Sequence, residues 1–282
     1  MCTLNLISGI KIFDGHTSLD SPDSRIHLNT GIINASNLLI PTQRYSPIAY
    51  IPKSDWRVPN TEESKLLRVT KAPFESGNWV SIIRIPDDVL APFKQLRDST
   101  KIEKEQTLFN LKKTSDCQKG ISQVIEYIAP LSETASQYFE GIGISLNLPG
   151  LITSTVDYER NCYIGLHLDS WYGASLKERH LSRNRICINL GHEDRFLLLV
   201  NLSLQTMFDI LETDKSNDPK TLIFNFMQYF SNYPVIRLKI APNEAYIAPT
   251  ENIIHDGSTL GQMYFDTCLT IRGKFKSSFL SP

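Results

Sequence analysis

Apolar and polar positions alternate most cleanly late in the chain, where Ile236, Leu238 and Ile240 are separated by Arg237 and Lys239. A period of two places the apolar side chains on one face, which predicts a half-buried strand over 234–240. Pro242-Asn243 then turns the chain into Ala245-Tyr246-Ile247-Ala248, a second strand. Upstream, Arg185–Leu190 and Phe196–Leu202 are short apolar runs on either side of Gly191-His192-Glu193-Asp194. They read as two paired strands joined by a polar hairpin turn. Cys162–His167 is strand-like and half-buried, and after Gly257 and Gly261 the stretch Tyr264–Ile271 supplies a returning strand.

Two helices interrupt this pattern. One covers Leu204–Leu211; the other opens at Asp218-Pro219, where Asp caps and Pro suits the first turn, and stops before Pro234. The aromatics of the second helix are expected to pack against a β-core. Between Pro86 and Gly141 the spacing of Ile121, Val124, Ile125, Ile128 and Leu131 predicts helices packed outside a β-barrel. The fold class that follows is α+β, mainly β.

The 282 residues, 41% of them hydrophobic, suffice for one domain over 1–282. Residues 1–150 would hold N-terminal strands and supporting helices, and 151–282 the β-core with a helical insertion at about 203–232. The sequence has no linker-like stretch and no internal repeat. The 29 basic and 30 acidic residues nearly cancel, which argues against a nucleic-acid surface. Apolar runs are broken by charge well before membrane-spanning length. Lys101–Glu105 and Lys112-Lys113 read as solvated helix faces. Five cysteines without a Cys-x-x-Cys pair, and an N-terminus without a secretory pattern, are expected of a reduced cytoplasmic protein. That N-terminus reads as a strand or an ordered arm.

The chemistry lies in a split constellation. In an extended Gly165-Leu166-His167-Leu168-Asp169 segment, His167 and Asp169 point to one side and can chelate a single metal. If His255 approaches from another strand, two imidazoles and a carboxylate occupy one face of an octahedron and leave three positions open, an arrangement suited to Fe(II). The interval between Asp169 and His255 accommodates the four predicted strands. His192-Glu193-Asp194 offers the same short pattern but sits in the polar turn. Arg272, in Leu269-Thr270-Ile271-Arg272, carries a planar fork suited to a carboxylate.

The order His-x-Asp, long gap, His, short gap, Arg resembles the iron(II)- and 2-oxoglutarate-dependent oxygenases. The resemblance implies a double-stranded β-helix fold, Fe(II) held by His167, Asp169 and His255, and 2-oxoglutarate and O2 as cosubstrates. Arg272 would pair with the distal carboxylate of 2-oxoglutarate. Many members add a Ser or Thr two residues beyond the Arg; this chain has Lys274 there, so Thr270 or Lys274 would supply the second contact. The implied reaction is hydroxylation of an unactivated C–H bond in a small polar molecule, with succinate and CO2 released and desaturation or cyclisation as other outcomes of the same chemistry. Because Asp169 is present, halogenation is disfavoured.

Glu251 and Asn252, just before His255, and Trp171 and Tyr172, just after Asp169, would line the substrate site. A carboxylate and an amide there suit an amine- or guanidine-bearing molecule, such as a free amino acid or its derivative; an equal reading has Glu251 and Asn252 capping a turn and the aromatics packing. Two alternatives stay open: a cupin-like metal enzyme that does not use 2-oxoglutarate, and a non-catalytic jelly-roll binding protein.

Overall fold

The computed structural model describes residues 3–14, 25–38, 43–71, 77–99, 109–133, 139–171, 173–211 and 218–278. The N-terminal part contributes β1 (Lys11–Asp14), β2 (Ile26–Leu28), β3 (Ile32–Asn34), β4 (Tyr50–Pro52), helix α1 (Thr61–Leu67), β5 (Arg68–Val69) and β6 (Trp79–Arg84). Helices α2 (Lys94–Ser99) and α3 (Ser115–Ile128) follow, then β7 (Glu140–Asn147), β8 (Val156–Asp157) and β9 (Cys162–Tyr163). The C-terminal part runs β10 (Asn184–Asn189), β11 (Arg195–Leu199), α4 (Leu204–Leu211), α5 (Pro219–Tyr229), β12 (Ile236–Ile240), β13 (Glu244–Ala248), β14 (His255–Ser258) and β15 (Asp266–Gly273).

Two sheets face each other. The larger has the order β5-β1-β6-β13-β10-β15-β7 and the smaller β14-β11-β12-β2. From β10 onward the chain winds between them: β10 in the larger, β11 and β12 in the smaller, β13 in the larger, β14 in the smaller, β15 in the larger. This winding, antiparallel at every contact among those strands, is a double-stranded β-helix. β1 pairs in parallel with β5 and β6 and widens the larger sheet.

Alternation decides which side chains enter the space between the sheets. Cys187, Tyr246, Ala248 and Cys268 from the larger sheet meet Leu197, Leu199, Ile236 and Leu238 from the smaller in one buried cluster. The opposite faces are closed by helices. Ile186, Ile188, Ala245 and Leu269 pack on Val124 and Ile128 of α3, and Leu198 and Ile254 on Met207, Ile223 and Phe226 of α4 and α5. Each fully buried Leu, Ile, Val, Phe or Met among them contributes about 1.5–3 kcal/mol. Both predicted insertion helices form, and Asp218 caps α5 through the Thr221 N–H at 2.9 Å.

Several expectations change. β10 and β11 are not a hairpin; they belong to different sheets. The cause is local: Asn189 accepts from Gly191 N (2.9 Å) and donates to the Glu193 and Ile240 carbonyls, carrying the chain across to the second layer. The helical stretch after Pro86 gives way to strand at Glu140, so Gly141 lies in β7. Lys112 donates to the Ile144 carbonyl (3.0 Å) and Lys113 sits 4.3 Å from the centre of the Phe109 ring, so this pair is partly engaged rather than a simple solvated face. Lys101–Glu105, Cys2 and Tyr172 lie outside the described residues. The N-terminal arm is tied down, with Ile10 N donating to the Asn201 carbonyl at 2.6 Å. Cys117, Cys162, Cys187 and Cys268 are buried free thiols. Among the described residues no helix is long and apolar enough to cross a membrane.

Candidate metal centre

His255 opens β14, and the segment carrying His167 lies beside it. His167 N donates to the His255 carbonyl at 3.0 Å and His255 N to the His167 carbonyl at 2.8 Å, so the two residues form an antiparallel bridge. Both side chains then leave the same face, with ring centroids 4.7 Å apart. Two residues on, Asp169 N donates to the Thr250 carbonyl (3.1 Å) and its carboxylate returns to that face. His167 Nε2 lies 3.7 Å from Asp169 Oδ1, and His255 Nε2 lies 3.8 Å from Asp169 Oδ2. One ligand atom from each of the three residues falls within 4.8 Å of the others.

The tautomers are set from behind. His167 Nδ1 bonds the Gly165 carbonyl (2.9 Å) and His255 Nδ1 the Ile253 carbonyl (3.2 Å). A carbonyl only accepts, so each Nδ1 carries hydrogen and each Nε2 is the atom left to ligate a metal, that of His167 once its proton has gone. Asp169 is 8% exposed, and its Oδ2 has no hydrogen bond even though Arg185 Nη2 pairs with it at 2.6 Å. A buried carboxylate oxygen in that state, facing two imidazole nitrogens, fits a divalent cation with mixed nitrogen and oxygen preference such as Fe(II).

Gly165 is the local device that aims His167. It adopts φ +71°, and a Cβ there would come within 2.4 Å of the Tyr50 carbonyl, which accepts from Leu166 N at 2.8 Å. Gly165→Ala is therefore expected to displace both His167 and the carbonyl that orients it, weakening metal affinity by about 10–100-fold. Metal titration of the folded variant checks this, and unchanged affinity would remove Gly165 from that role.

Charge around the centre is strongly coupled. Burial favours the neutral forms, but the Asp169 and Asp256 carboxylates, 3.7 and 3.6 Å from its ring nitrogens, outweigh it at His167 and push its pKa up to about 10. Burial dominates at His255 and lowers it to about 4. Burial would raise the Asp169 pKa; His167, His255 and Arg185 overcome this and hold its carboxyl far below the usual range. Asp256 is fully buried, its Oδ2 lies 3.6 Å from His167 Nδ1, and its Oδ1 accepts from Thr155 Oγ1 at 2.8 Å.

The remaining expected site residues divide. Arg272 pairs directly with Arg185 across β15 and β10, and its guanidinium lies 4.3 Å from the centre of the Trp171 ring. Thr270, on the same face, has its hydroxyl 3.5 Å from Cys187 Sγ. Lys274 is exposed beyond the end of β15. Glu251 and Asn252, expected to line the substrate site, are each 2% exposed and built into the framework. Asn252 donates to the Gly77 carbonyl at 3.0 Å, and Glu251 pairs with Arg179 at 3.7 Å. They cap and brace the loop before His255, which removes the ground for an ammonium-binding pair.

Reading the sequence did not single out Arg179, Arg185, Arg195 or Asp256. Arg179 donates to the Asp169 carbonyl (3.2 Å) and the Glu251 carbonyl (3.4 Å), locking two ligand loops together. Arg195, 4% exposed inside the barrel, faces Asp266 through Nε at 3.3 Å, while its Nη1 has no hydrogen-bond partner. The one available signal was the parity of Arg185 and Arg195 within apolar strands.

Fold and site together define a double-stranded β-helix with a two-histidine, one-carboxylate centre at one end of its interior. No protein-family model matches the chain, and no curated protein does. Among solved structures it is similar to those of the Kdo hydroxylase KdoO, a non-heme Fe(II) alphaketoglutarate dependent dioxygenase. Identity is 14% and the TM-score 0.42 with its succinate and Fe(III) complex, 15% and 0.39 with its cobalt(II) complex, and 16% and 0.39 with its alphaketoglutarate and Fe(III) complex. Each match covers 71% of this chain and 80% of the other.

Proposed function

We propose that this protein is an Fe(II)- and 2-oxoglutarate-dependent dioxygenase that hydroxylates a C–H bond of a small molecule. The observation carrying this reading is the triad: His167, Asp169 and His255 converge within 4.8 Å, with both Nδ1 atoms bonded to backbone carbonyls and both Nε2 atoms turned to the Asp169 carboxylate. In balance, the substrate C–H, O2 and 2-oxoglutarate yield C–OH, succinate and CO2. Fe(II), held by those three residues, would supply dioxygen activation and leave three positions for cosubstrate and oxygen. The chain's own residues orient and shield. Gly165 and Ile253 fix the imidazoles, Arg185 fixes Asp169, and Arg179 keeps the two loops in register. The amino-acid substrate expected from Glu251 and Asn252 is not carried forward, because both side chains are engaged elsewhere.

Arg272, with Thr270 beside it, is the proposed anchor of the distal carboxylate. A second reading gives that role to Arg195, because its Nη1 has no hydrogen bond and is buried between the sheets, while Nε faces Asp266. Anaerobic titration with Fe(II) and 2-oxoglutarate, followed by the visible charge-transfer band of the chelate, tests both. The wild type is expected to give the band, and Arg272→Lys, which loses the two-pronged contact, to need about tenfold more 2-oxoglutarate. A shift in Arg195→Lys without one in Arg272→Lys would move the anchor. Absence of any band in the wild type would sink the oxygenase reading.

A further inference from the structure

A cavity of about 500 Å³ opens beside the metal centre, with His167 and Asp169 in its wall. This volume lies within the range of small-molecule sites, about 300–1,000 Å³. Its floor is hydrocarbon: Leu166 of the ligand segment faces Ile223, Phe224 and Met227, three residues on one face of α5. Leu166, Ile223 and Met227 are otherwise buried, so the cavity exposes core-quality apolar surface next to the reacting position.

The mouth differs in chemistry. Lys220, one turn before Phe224, and Arg160, in the turn between β8 and β9, both line it and both are exposed. The acidic residues of the wall are occupied. Asp157 accepts from the backbone N–H groups of Glu159 (3.0 Å) and Arg160 (3.1 Å) and lies 3.8 Å from the Arg160 guanidinium. Asp169 belongs to the metal centre and to Arg185. Among the described residues, two cations against one engaged carboxylate leave the mouth net positive, at the N-terminal end of a helix whose dipole adds the same sign. Among the described residues an ammonium head would meet no unengaged carboxylate there, whereas an anionic head would meet Lys220 and Arg160, the latter shared with Asp157.

We infer that the cavity selects an amphipathic anion, with an apolar body lying along Leu166, Ile223, Phe224 and Met227 and a carboxylate or phosphate head at Arg160 and Lys220. This deepens the oxygenase reading and rests on it for the chemistry. The head is held at the mouth while the body passes His167 and Asp169. The oxidised C–H bond therefore belongs to the hydrocarbon part, away from the charged end.

Trp171 lines the same cavity and is 59% exposed, so its fluorescence reports occupancy, with Trp171→Phe as the control for the other tryptophans. The full chain would be titrated below the micellar range with dodecanoate, dodecyl phosphate, dodecylammonium and L-glutamate. One of the two dodecyl anions is expected to bind at one molecule per chain and about tenfold more tightly than dodecylammonium, and L-glutamate not to bind. Whichever anion is tighter identifies the head. Arg160→Glu/Lys220→Glu, altering exposed side chains only, is expected to reverse the preference between anion and ammonium. Equal binding of all dodecyl compounds, a double variant that behaves as wild type, or no binding would each overturn the assignment. Binding needs neither metal nor cosubstrate. Loss of anion selectivity with a normal Fe(II) and 2-oxoglutarate band overturns the substrate class alone; selective anion binding without a band overturns the oxygenase reading alone.

Discussion

Asp169→Ala is expected to abolish iron binding and turnover together and to destabilise the fold by about 3–5 kcal/mol, the usual cost of leaving one member of a buried ion pair alone. Asp169 and Arg185 are separated by 2.6 Å with side chains 8% and 19% exposed, so the guanidinium left behind has little water to turn to. Three roles meet in this one carboxylate: proposed ligand to the metal, partner of Arg185, and charged neighbour of His167 at 3.7 Å. The roles separate in a double variant. Asp169→Ala/Arg185→Met removes both charges and fills the space with an unbranched apolar chain, which is expected to recover most of the lost stability while iron remains unbound. Denaturant unfolding of the metal-free proteins and metal titration of the same samples read the two effects independently. Wild-type iron affinity in Asp169→Ala would show that the triad is not the metal site.

The parts of this site that the sequence reveals are those governed by local geometry. Alternation in an extended segment puts His167 and Asp169 on one side whatever the surrounding fold, and Asp218-Pro219 starts a helix wherever it packs. The four strands between Asp169 and His255 were likewise legible as apolar runs punctuated by Gly and Pro. Register across strands was not. Arg185 reaches Asp169 and faces Arg272 because β10 pairs with β15 in one particular alignment, and nothing within 184–189 announces that alignment. The same holds for Asp256, which meets His167 through the bridge between two distant segments.

Sheet switching escaped for a related reason. Two apolar runs around a polar turn look the same whether they pair with each other or roll apart, and the side-chain bonds of Asn189 decide the matter. Glu251 and Asn252 misled because proximity in sequence to His255 says nothing about direction. Both turn into the framework, toward Arg179 and Gly77. Buried polar residues that brace a ligand loop have the same composition as residues that greet a substrate, and only their partners distinguish them.

The iron affinity of the metal-free protein is expected to rise about tenfold per pH unit across neutrality, because one proton must leave for each metal that binds. With its pKa pushed up to about 10, His167 is protonated at pH 7; with His255 lowered to about 4, that imidazole is already neutral. Fe(II) takes a neutral imidazole, so binding releases one proton, and it comes from His167. Calorimetry at pH 7 in buffers of different ionisation enthalpy should return a slope of one proton per iron. A slope of zero would contradict the protonation state assigned to His167. The same proton stabilises the metal-free fold: its contribution is fully present below the unfolded-state pKa of histidine, about 6.5, and is lost as pH rises through the folded value near 10. Thermal stability of the metal-free protein should therefore fall between neutrality and pH 10 by more than that of the iron-bound form, in which this proton is already gone. Asp256→Asn supplies the control. It removes one of the two carboxylates that raise His167 while leaving all three ligands in place, so the tenfold-per-unit rise should level off at a lower pH. A variant whose affinity profile matched the wild type would assign the His167 proton to Asp169 alone.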